Sequence, residues 1–114
     1  MSERIKTKPW DAADYLRTPR DMAGYLEAAL EDGDPGVIAA AIGDIARAKG
    51  MTRVAEEAGL GRESLYKALS RDGNPELATV LRVLKALGIQ LHARHVAEPE
   101  ASHRTREQRR SRSR

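Results

Sequence analysis

Residues 51–70 read MTRVAEEAGLGRESLYKALS and predict two short helices joined by a turn. We expect Thr52 to cap the first helix, which runs to Ala58. Gly59 ends this helix, because glycine adopts the positive φ of a tight turn at little steric cost. The second helix runs from about Arg62 to Leu69. Two short helices joined by a glycine-containing turn are typical of the helix-turn-helix arrangement.

The residue types of this segment fit two packed helices. The positions expected to face the core are apolar or small: Val54, Ala55, Ala58, Leu60, Leu65 and Leu69. The outer face of the second helix and the residue beyond it are polar: Arg62, Glu63, Tyr66, Lys67, Ser70 and Arg71. The spacing alone also fits a plain structural hairpin, which stays an alternative. The polar outer face favours DNA binding. A purely structural hairpin could equally carry alanine or glutamate at these positions.

The outer face has the side chains that read DNA. In a DNA-binding helix-turn-helix, the N-terminal part of the second helix enters the major groove. We therefore expect Arg62 to pair with guanine O6 and N7, and Glu63 to accept from cytosine N4 or to orient Arg62. Tyr66 and Lys67 lie one turn further on and suit a phosphate or a thymine methyl group.

Charge is divided unevenly along the 114-residue chain, whose formal net charge is +3. Residues 1–46 carry five basic and nine acidic groups, whereas residues 47–96 carry nine basic and five acidic ones. Residues 97–114 add six arginines and three glutamates. Thr52 and Arg53 lie in the basic middle part and begin a helix whose free N–H groups suit a phosphate. This division favours a nucleic-acid partner.

Three longer helices surround this segment, each predicted by a start signal with proline and a glycine stop. These signals are Thr18-Pro19 with Gly33, Asp34-Pro35 with Gly50, and Asn74-Pro75 with Gly88. Their apolar stripes recur at helical spacing: Met22, Tyr25, Leu26, Ala29 and Leu30; Ile38, Ala41, Ile42 and Ile45; Leu77, Val80, Leu81, Leu84 and Leu87. The sequence therefore predicts an all-α domain of five to six helices with a repressor-like helix-turn-helix.

A short strand is predicted near residues 89–96, where Ile89, Leu91 and Ala93 alternate with polar residues. A lone strand exposes unpaired backbone groups, so we expect it to pair with its copy at a dimer interface, or with the stretch around Ile5.

The predicted organisation has three parts. Residues 1–17 form an N-terminal segment and residues 18–96 a helix-turn-helix DNA-binding domain. Residues 97–114 form a disordered, arginine-rich tail, because they offer no apolar residue able to anchor a fold.

The composition excludes several classes of protein. The chain has no cysteine, so a disulfide framework or a cysteine-based zinc site is impossible. It has neither a run of about 18 apolar residues nor the apolar stretch of a signal peptide, so we expect a cytoplasmic protein without a membrane partner. His92 and His95 point to opposite faces of the predicted strand, and no Gly-x-Ser-x-Gly motif is present. We expect no metal site, no cofactor and no enzyme activity.

Six stretches of the sequence carry a family resemblance. They are WDAADYL at 10–16, YL at 25–26, GDIARAKGM at 43–51, GRESLYKALS at 61–70, GNP at 73–75 and LKALG at 84–88. With them the chain resembles, from about residue 10 to 95, the addiction-module antidote proteins, small antitoxins with a Cro/repressor-type helix-turn-helix. Gly61 departs from general repressor motifs, which often have Ser or Thr there, and the arginine-rich tail lies outside the resemblance.

The resemblance implies the antitoxin of a bacterial type II toxin–antitoxin system. Such a protein neutralises a toxin encoded beside it, usually a small basic protein of the RelE/ParE superfamily that commonly cleaves mRNA on the ribosome. It also represses the shared promoter, and we expect a homodimer on palindromic double-stranded DNA. The expected DNA-binding residues are Thr52, Arg53, Gly61, Arg62, Glu63, Ser64, Tyr66, Lys67, Ser70 and Arg71.

The acidic front half suits a basic toxin by charge complementarity. The expected toxin-binding residues are Trp10, Asp11, Asp14 and Tyr15, of which Trp10 and Tyr15 supply aromatic anchors. The alternative is that the acids form a solvated face and Trp10 packs in the core. Two other functions stay open: a stand-alone helix-turn-helix repressor, and a protein-interaction module without DNA binding.

Overall fold

The computed structural model describes residues 12–97, apart from the side chain of Ala13. Six helices follow one another in this part of the chain: α1 (Ala12–Tyr15), α2 (Pro19–Asp32), α3 (Pro35–Lys49), α4 (Met51–Ala58), α5 (Arg62–Ala68) and α6 (Leu77–Leu87). The predicted all-α fold is confirmed. None of these helices is long and apolar enough to cross a bilayer.

Side chains cap the starts of α2 and α3, as their sequence predicts. Thr18 Oγ1 accepts a hydrogen bond from the Asp21 backbone N–H at 3.1 Å, and Asp21 Oδ2 accepts one from the Thr18 N–H at 3.2 Å. This reciprocal pair is a capping box. Asp34 accepts from the Gly36 N–H at 2.9 Å. Gly33 ends α2 with a φ of 81°, so both boundaries of that helix follow from local residues.

The predicted cap at Thr52 is wrong. Only Gly50, with a φ of 113°, separates α3 from α4, and α4 begins directly at Met51 without a side-chain cap. Because a single residue links the two helices, Thr52 falls inside the first turn of α4 and cannot occupy the non-helical position of a cap.

The last helix begins two residues later than expected. Glu76, in an extended conformation, precedes Leu77, and the Asn74-Pro75 signal lies outside the helix. The reason is the approach of Gly73 to the end of α5, where an added Cβ atom would lie 2.2 Å from the Ala68 carbonyl oxygen. The chain must leave this contact before α6 can begin.

The core is formed where α2 packs on α3, α4 packs on α6, and α1 lies against α3. The largest fully buried side chains come from four helices and are Ile42, Ile45, Val54, Leu65 and Val83. Ala12 and Leu16 also belong to this core. The N-terminal segment therefore contributes to the folded body through α1 and the residue that follows it.

Two helices expose apolar residues that the sequence pattern assigns to the core. Leu30 on α2 is 43% exposed, and Leu77 and Leu81 on α6 are 69% and 48% exposed. In α6 it is Val83, Leu84 and Leu87 that are buried. The apolar stripe of α6 is thus wider than the surface that the rest of the chain covers.

Gly43 marks a close contact between α3 and the end of α5. A Cβ atom at Gly43 would lie 2.3 Å from the Leu69 carbonyl oxygen and 3.2 Å from Leu69 Cβ. No real Cβ atom tolerates the shorter of these distances, so only glycine allows the two elements to approach in this way.

The predicted C-terminal strand is not formed within the described chain. Residues 89–97 follow α6 without helical or strand structure, and residues 12–97 contain no other strand with which they could pair. Pairing with the stretch around Ile5 concerns residues outside the described ones, and pairing with a second chain stays a prediction. Most of the predicted arginine-rich tail also lies outside the described residues.

Candidate nucleic-acid interface

The turn between α4 and α5 is closed by backbone hydrogen bonds. Gly59 has a φ of 71° and a ψ of 35°, and its N–H donates to the Glu56 carbonyl at 3.1 Å. The Leu60 N–H donates to the Ala55 carbonyl at 2.9 Å. The predicted stop at Gly59 is confirmed, and the extended conformation of Gly61 then turns the chain into α5.

The side chains of the two helices divide as the sequence predicts. Those expected to face inward from α4 and α5 are buried: Val54, Ala55, Ala58, Leu65 and Leu69. Leu60 is half-buried and packs against them. Residues 61–64, 66, 67 and 70 are exposed. A polar surface of α5 therefore stands outward, held in orientation by its buried leucines.

A concave surface of about 580 Å³ lies between the start of α4 and the outer face of α5. Its walls include Arg47, Thr52, Arg53, Glu56, Arg62 and Tyr66. Four of these residues were predicted from the sequence to bind DNA, and the fold brings them together although they come from two helices. Arg47, at the end of α3, is an addition that the segment 51–70 does not contain.

Arg62 lies over the ring of Tyr66, with 5.4 Å between its guanidinium carbon and the ring centroid. The two residues are one helical turn apart, and such a cation–π contact stabilises the arginine at an exposed site by about 0.5–1 kcal/mol. Tyr66 therefore keeps the Arg62 side chain on the outer face of α5.

Arg53 pairs with Glu57 one turn along α4, with 3.3 Å between Nε and Oε2. Both side chains are largely exposed. An exposed pair of this kind stabilises a protein by about 1 kcal/mol or less, so Arg53 can exchange Glu57 for a stronger anionic partner.

Arg47 is positioned by a small polar cluster. It pairs with Asp44, and Asp44 accepts a hydrogen bond of 2.6 Å from the Tyr25 hydroxyl. Burial raises the pKa of Tyr25 to about 12, and the hydrogen bond to Asp44 and its charge act in the same direction against the smaller opposing effect of Arg47. The cluster links α2 to α3 and holds Arg47 beside the start of α4.

The other predicted DNA-binding residues do not line this concave surface. Glu63, Ser64 and Lys67 are exposed on α5. The Ser70 hydroxyl donates to the Lys67 carbonyl at 2.9 Å. Arg71 lies elsewhere, lining a groove between α2 and α3 that also contains Tyr25 and Asp44.

Arg82 on α6 was not singled out by the sequence. Its Nη2 donates to the Gly59 carbonyl at 3.3 Å and so connects α6 to the turn between α4 and α5. The two residues are 23 positions apart in the sequence, so no local pattern reveals this contact.

The predicted toxin-binding residues are only partly described. Trp10 and Asp11 lie outside the described residues. Asp14 and Tyr15 are exposed on α1, and the Tyr15 ring centroid lies 6.3 Å from that of Tyr25. Within residues 12–97 no cluster of three or more His, Cys, Asp or Glu side chains has the arrangement of a metal site.

The fold and this surface define a small helical protein with a paired-helix element whose outer face is polar and rich in arginine. The chain matches the family described as "Probable addiction module antidote protein" over residues 6–95. It is also 44% identical over 90 residues to an uncharacterized protein of Haemophilus influenzae, an alignment that covers 79% of this chain and 91% of the relative. The chain belongs to the addiction-module antidote family. No solved structure matches it.

Proposed function

We propose that this protein is the antitoxin of a type II toxin–antitoxin system that represses its own operon and neutralises a RelE/ParE-like toxin. Family membership supports the antidote role. The observation that carries DNA binding is the concave surface on which Arg47, Arg53 and Arg62 meet from three different helices. On this reading α4, the turn and α5 are a DNA-binding helix-turn-helix, and the protein acts by binding and not by catalysis.

In the proposed complex, α5 enters the major groove. Arg62 pairs with a guanine edge. Its contact with the Tyr66 ring already restricts the Arg62 side chain in the free protein, so Arg62 loses less conformational freedom on binding. Glu63 accepts from a cytosine or orients Arg62, and Lys67 meets a phosphate. The set of exposed residues on α5 supports this orientation, because its buried face is occupied by leucines.

The start of α4 is proposed to bind the DNA backbone. No side chain caps its first N–H groups, which leaves them available to a phosphate together with the Thr52 hydroxyl. Arg53 exchanges Glu57 for that phosphate, and Arg47 adds a second positive charge beside it. These contacts fix the register on DNA, whereas α5 reads the bases.

Two copies of the chain are needed to read a palindrome. A homodimer places two α5 helices about one DNA turn apart, which corresponds to roughly 34–36 Å between half-sites. A monomer reads one half-site only and loses most of the affinity for the operator.

The toxin is proposed to bind the acidic half of the protein. Asp14 and Tyr15 are exposed on α1, and α2 and the residues after it add Glu27, Glu31, Asp32 and Asp34, which are also exposed. A small basic toxin meets opposite charge here.

The first experiment is a footprint of the full chain on DNA upstream of its own gene. We expect protection of a palindrome with two half-sites one turn apart. Co-expression with the neighbouring small basic protein is the second measurement, and we expect growth rescue and a co-purified complex. Growth rescue without a footprint would indicate an antitoxin that binds protein only. A footprint without a toxin partner would indicate a stand-alone repressor.

The toxin surface is tested by substitutions and not by deletion of residues 1–17, because Ala12 and Leu16 belong to the core. We expect Asp14→Lys combined with Tyr15→Ala to weaken neutralisation while the footprint is retained. Unchanged neutralisation by this variant would exclude α1 from the toxin surface.

A further inference from the structure

A single arginine of α6 reaches the turn from which α5 projects. Arg82 Nη2 donates a hydrogen bond of 3.3 Å to the Gly59 carbonyl. We infer that Arg82 is a positioning residue for sequence-specific DNA binding, because it holds the turn that sets the direction of α5. The inference rests on the proposed DNA reading by α5 and adds a residue that acts on it without contacting DNA.

The Gly59 carbonyl has one hydrogen-bond donor in the part of the chain that the structure describes, and that donor is Arg82. The N–H groups of Gly59 and Leu60 are bonded back to carbonyls of α4. These bonds close the end of α4 but leave the Gly59 carbonyl without a backbone partner. Arg82 therefore supports the turn from the side that local hydrogen bonds do not reach.

The charge of Arg82 suits its place at the end of α4. The C-terminal end of a helix carries partial negative charge, and an arginine that bonds a carbonyl there is favourable. Gly59 is the residue that ends α4, with a φ of 71°. A Cβ atom at Gly59 would come within 3.3 Å of Arg82 Nη2, so the guanidinium lies directly against the turn.

No ion pair draws Arg82 away from the turn within the described residues. Its side chain is exposed, and Glu57, which lines the same groove between α4 and α6, pairs with Arg53 instead. This groove has a volume of about 410 Å³ and shares no lining residue with the concave surface proposed to bind DNA. Arg82 is thus placed to act on the turn and not as a wall of the DNA surface.

The base-reading end of α5 lies close to this turn. Arg62, which is proposed to pair with guanine, follows Gly59 by three residues and begins α5. A binding side chain has to be held within about 0.5 Å and 10–20° of its productive geometry. The buried Leu65 fixes which face of α5 points inward, whereas the turn fixes where α5 starts. A change of backbone direction at the turn therefore displaces Arg62 from a base edge while Leu65 stays buried.

The test compares the affinity of the full chain for its operator and for random DNA. The operator is the site that the wild-type protein protects, and fluorescence anisotropy measures both affinities. Arg82→Ala should weaken operator binding by about three- to fivefold, because one hydrogen bond changes the population of the productive orientation by a factor of about five. Affinity for random DNA should change by less than about twofold, since contacts to phosphates carry no sequence information.

Two further variants separate the hydrogen bond from the charge. Lys85→Ala is the matched control, because Lys85 is an exposed cation of α6 in the same groove and makes no hydrogen bond to the turn in the described chain. Its substitution should leave the preference for operator over random DNA unchanged. Arg82→Lys keeps a charged donor on a slightly shorter side chain and should recover at least half of the preference that Arg82→Ala loses. A lysine variant as poor as the alanine variant overturns the hydrogen bond as the cause.

Amide hydrogen exchange in the free protein gives a readout that does not depend on DNA. Arg82→Ala should accelerate exchange at the Leu60 N–H by about fivefold relative to the Ile45 N–H in buried α3. A uniform loss of stability accelerates both amides alike and overturns the role of Arg82 at the turn. Circular dichroism of every variant confirms that the helices are retained.

The outcomes separate this inference from the proposed function. A preference for the operator that Arg82→Ala leaves intact overturns the inference and leaves DNA reading by α5 in place. Equal losses on operator and random DNA indicate that Arg82 contacts a phosphate directly, and they overturn the inference as well. A wild type that binds its operator no better than random DNA overturns the proposed DNA reading itself, and the inference with it.

Discussion

The helices α2 and α3 differ from α4 and α5 in how they begin. The first pair is capped by its own side chains, at Thr18 and Asp34, whereas α4 and α5 begin after glycine with no side-chain cap. Local residues therefore stabilise the starts of α2 and α3, and packing in the core maintains α4 and α5. The start of α4, which has no side-chain cap, is where we propose that a DNA phosphate binds.

The largest effect is expected where α3 meets the end of α5. Gly43→Ala places a Cβ atom 2.3 Å from the Leu69 carbonyl and should lower the free energy of unfolding by about 1–3 kcal/mol or more. Urea denaturation measures this value. Gly24→Ala is the matched control, because no atom lies within 4 Å of its added Cβ and alanine should stabilise α2 by about 0.5–1 kcal/mol. Equal effects at both positions would contradict the close contact.

Measurements of DNA affinity should distinguish the role of α5 from that of α4. Arg62→Ala should weaken operator binding by about 1–3 kcal/mol and relax specificity at one base position, whereas Arg53→Ala should weaken operator and random DNA alike. Fluorescence anisotropy on both DNAs measures the difference. Arg20 is exposed on α2, and the control Arg20→Ala should leave the affinity for operator and for random DNA unchanged. The base-reading role of Arg62 is refuted by an equal loss on both DNAs.

The two threonines sharpen the comparison of helix starts. Thr18→Ala removes the capping box of α2 and should lower the free energy of unfolding by about 1 kcal/mol. Thr52 lies in the first turn of α4 and makes no cap, so Thr52→Ala should change the free energy of unfolding by less than about 0.5 kcal/mol. Thermal or urea unfolding of both variants measures the contrast. Similar losses would show that Thr52 supports α4 after all.

An effect similar to that of the Thr18 cap is expected at the cluster that links α2 to α3. Tyr25→Phe removes the hydrogen bond to Asp44 and should lower the free energy of unfolding by about 0.5–1.5 kcal/mol. The pKa of Tyr25 is raised from 10.0 to about 12, so its protonated form stabilises the fold fully below pH 10 and this contribution is lost between pH 10 and 12. The difference in stability between wild type and Tyr25→Phe should therefore shrink over that interval. A constant difference up to pH 12 would argue against the raised pKa.

The arginine-rich tail offers a further comparison with the folded body. If its arginines contact phosphates, removing residues 97–114 should reduce the salt dependence of DNA binding and leave base preference unchanged. Titrations of the full and shortened chains over a range of salt concentrations measure the two slopes. An unchanged slope would favour a solubilising extension.

Sequence reasoning identified every helix of the described chain except α1, and half of the residues that line the concave surface. It succeeded where the cause is local: the helix start at Thr18 and the stop at Gly59 depend on neighbours within a few residues. It failed at Thr52, because the single-residue link at Gly50 depends on how α3 and α4 pack. It also assigned Leu77 and Leu81 to the core, since helical spacing marks an apolar stripe without showing how much of it another element covers.

The order of residues alone indicates the helical class, the two short helices at 51–70, the polar surface of α5 and the family. These follow from periodicity, caps and motifs, which are properties of residues near one another in the chain. The packing of the helices brought Arg47 beside Arg53 and Arg62, joined Arg82 to the turn at Gly59, and left Leu77 and Leu81 of α6 exposed. These depend on distances between residues far apart in sequence, and such distances are set by the packing of whole helices.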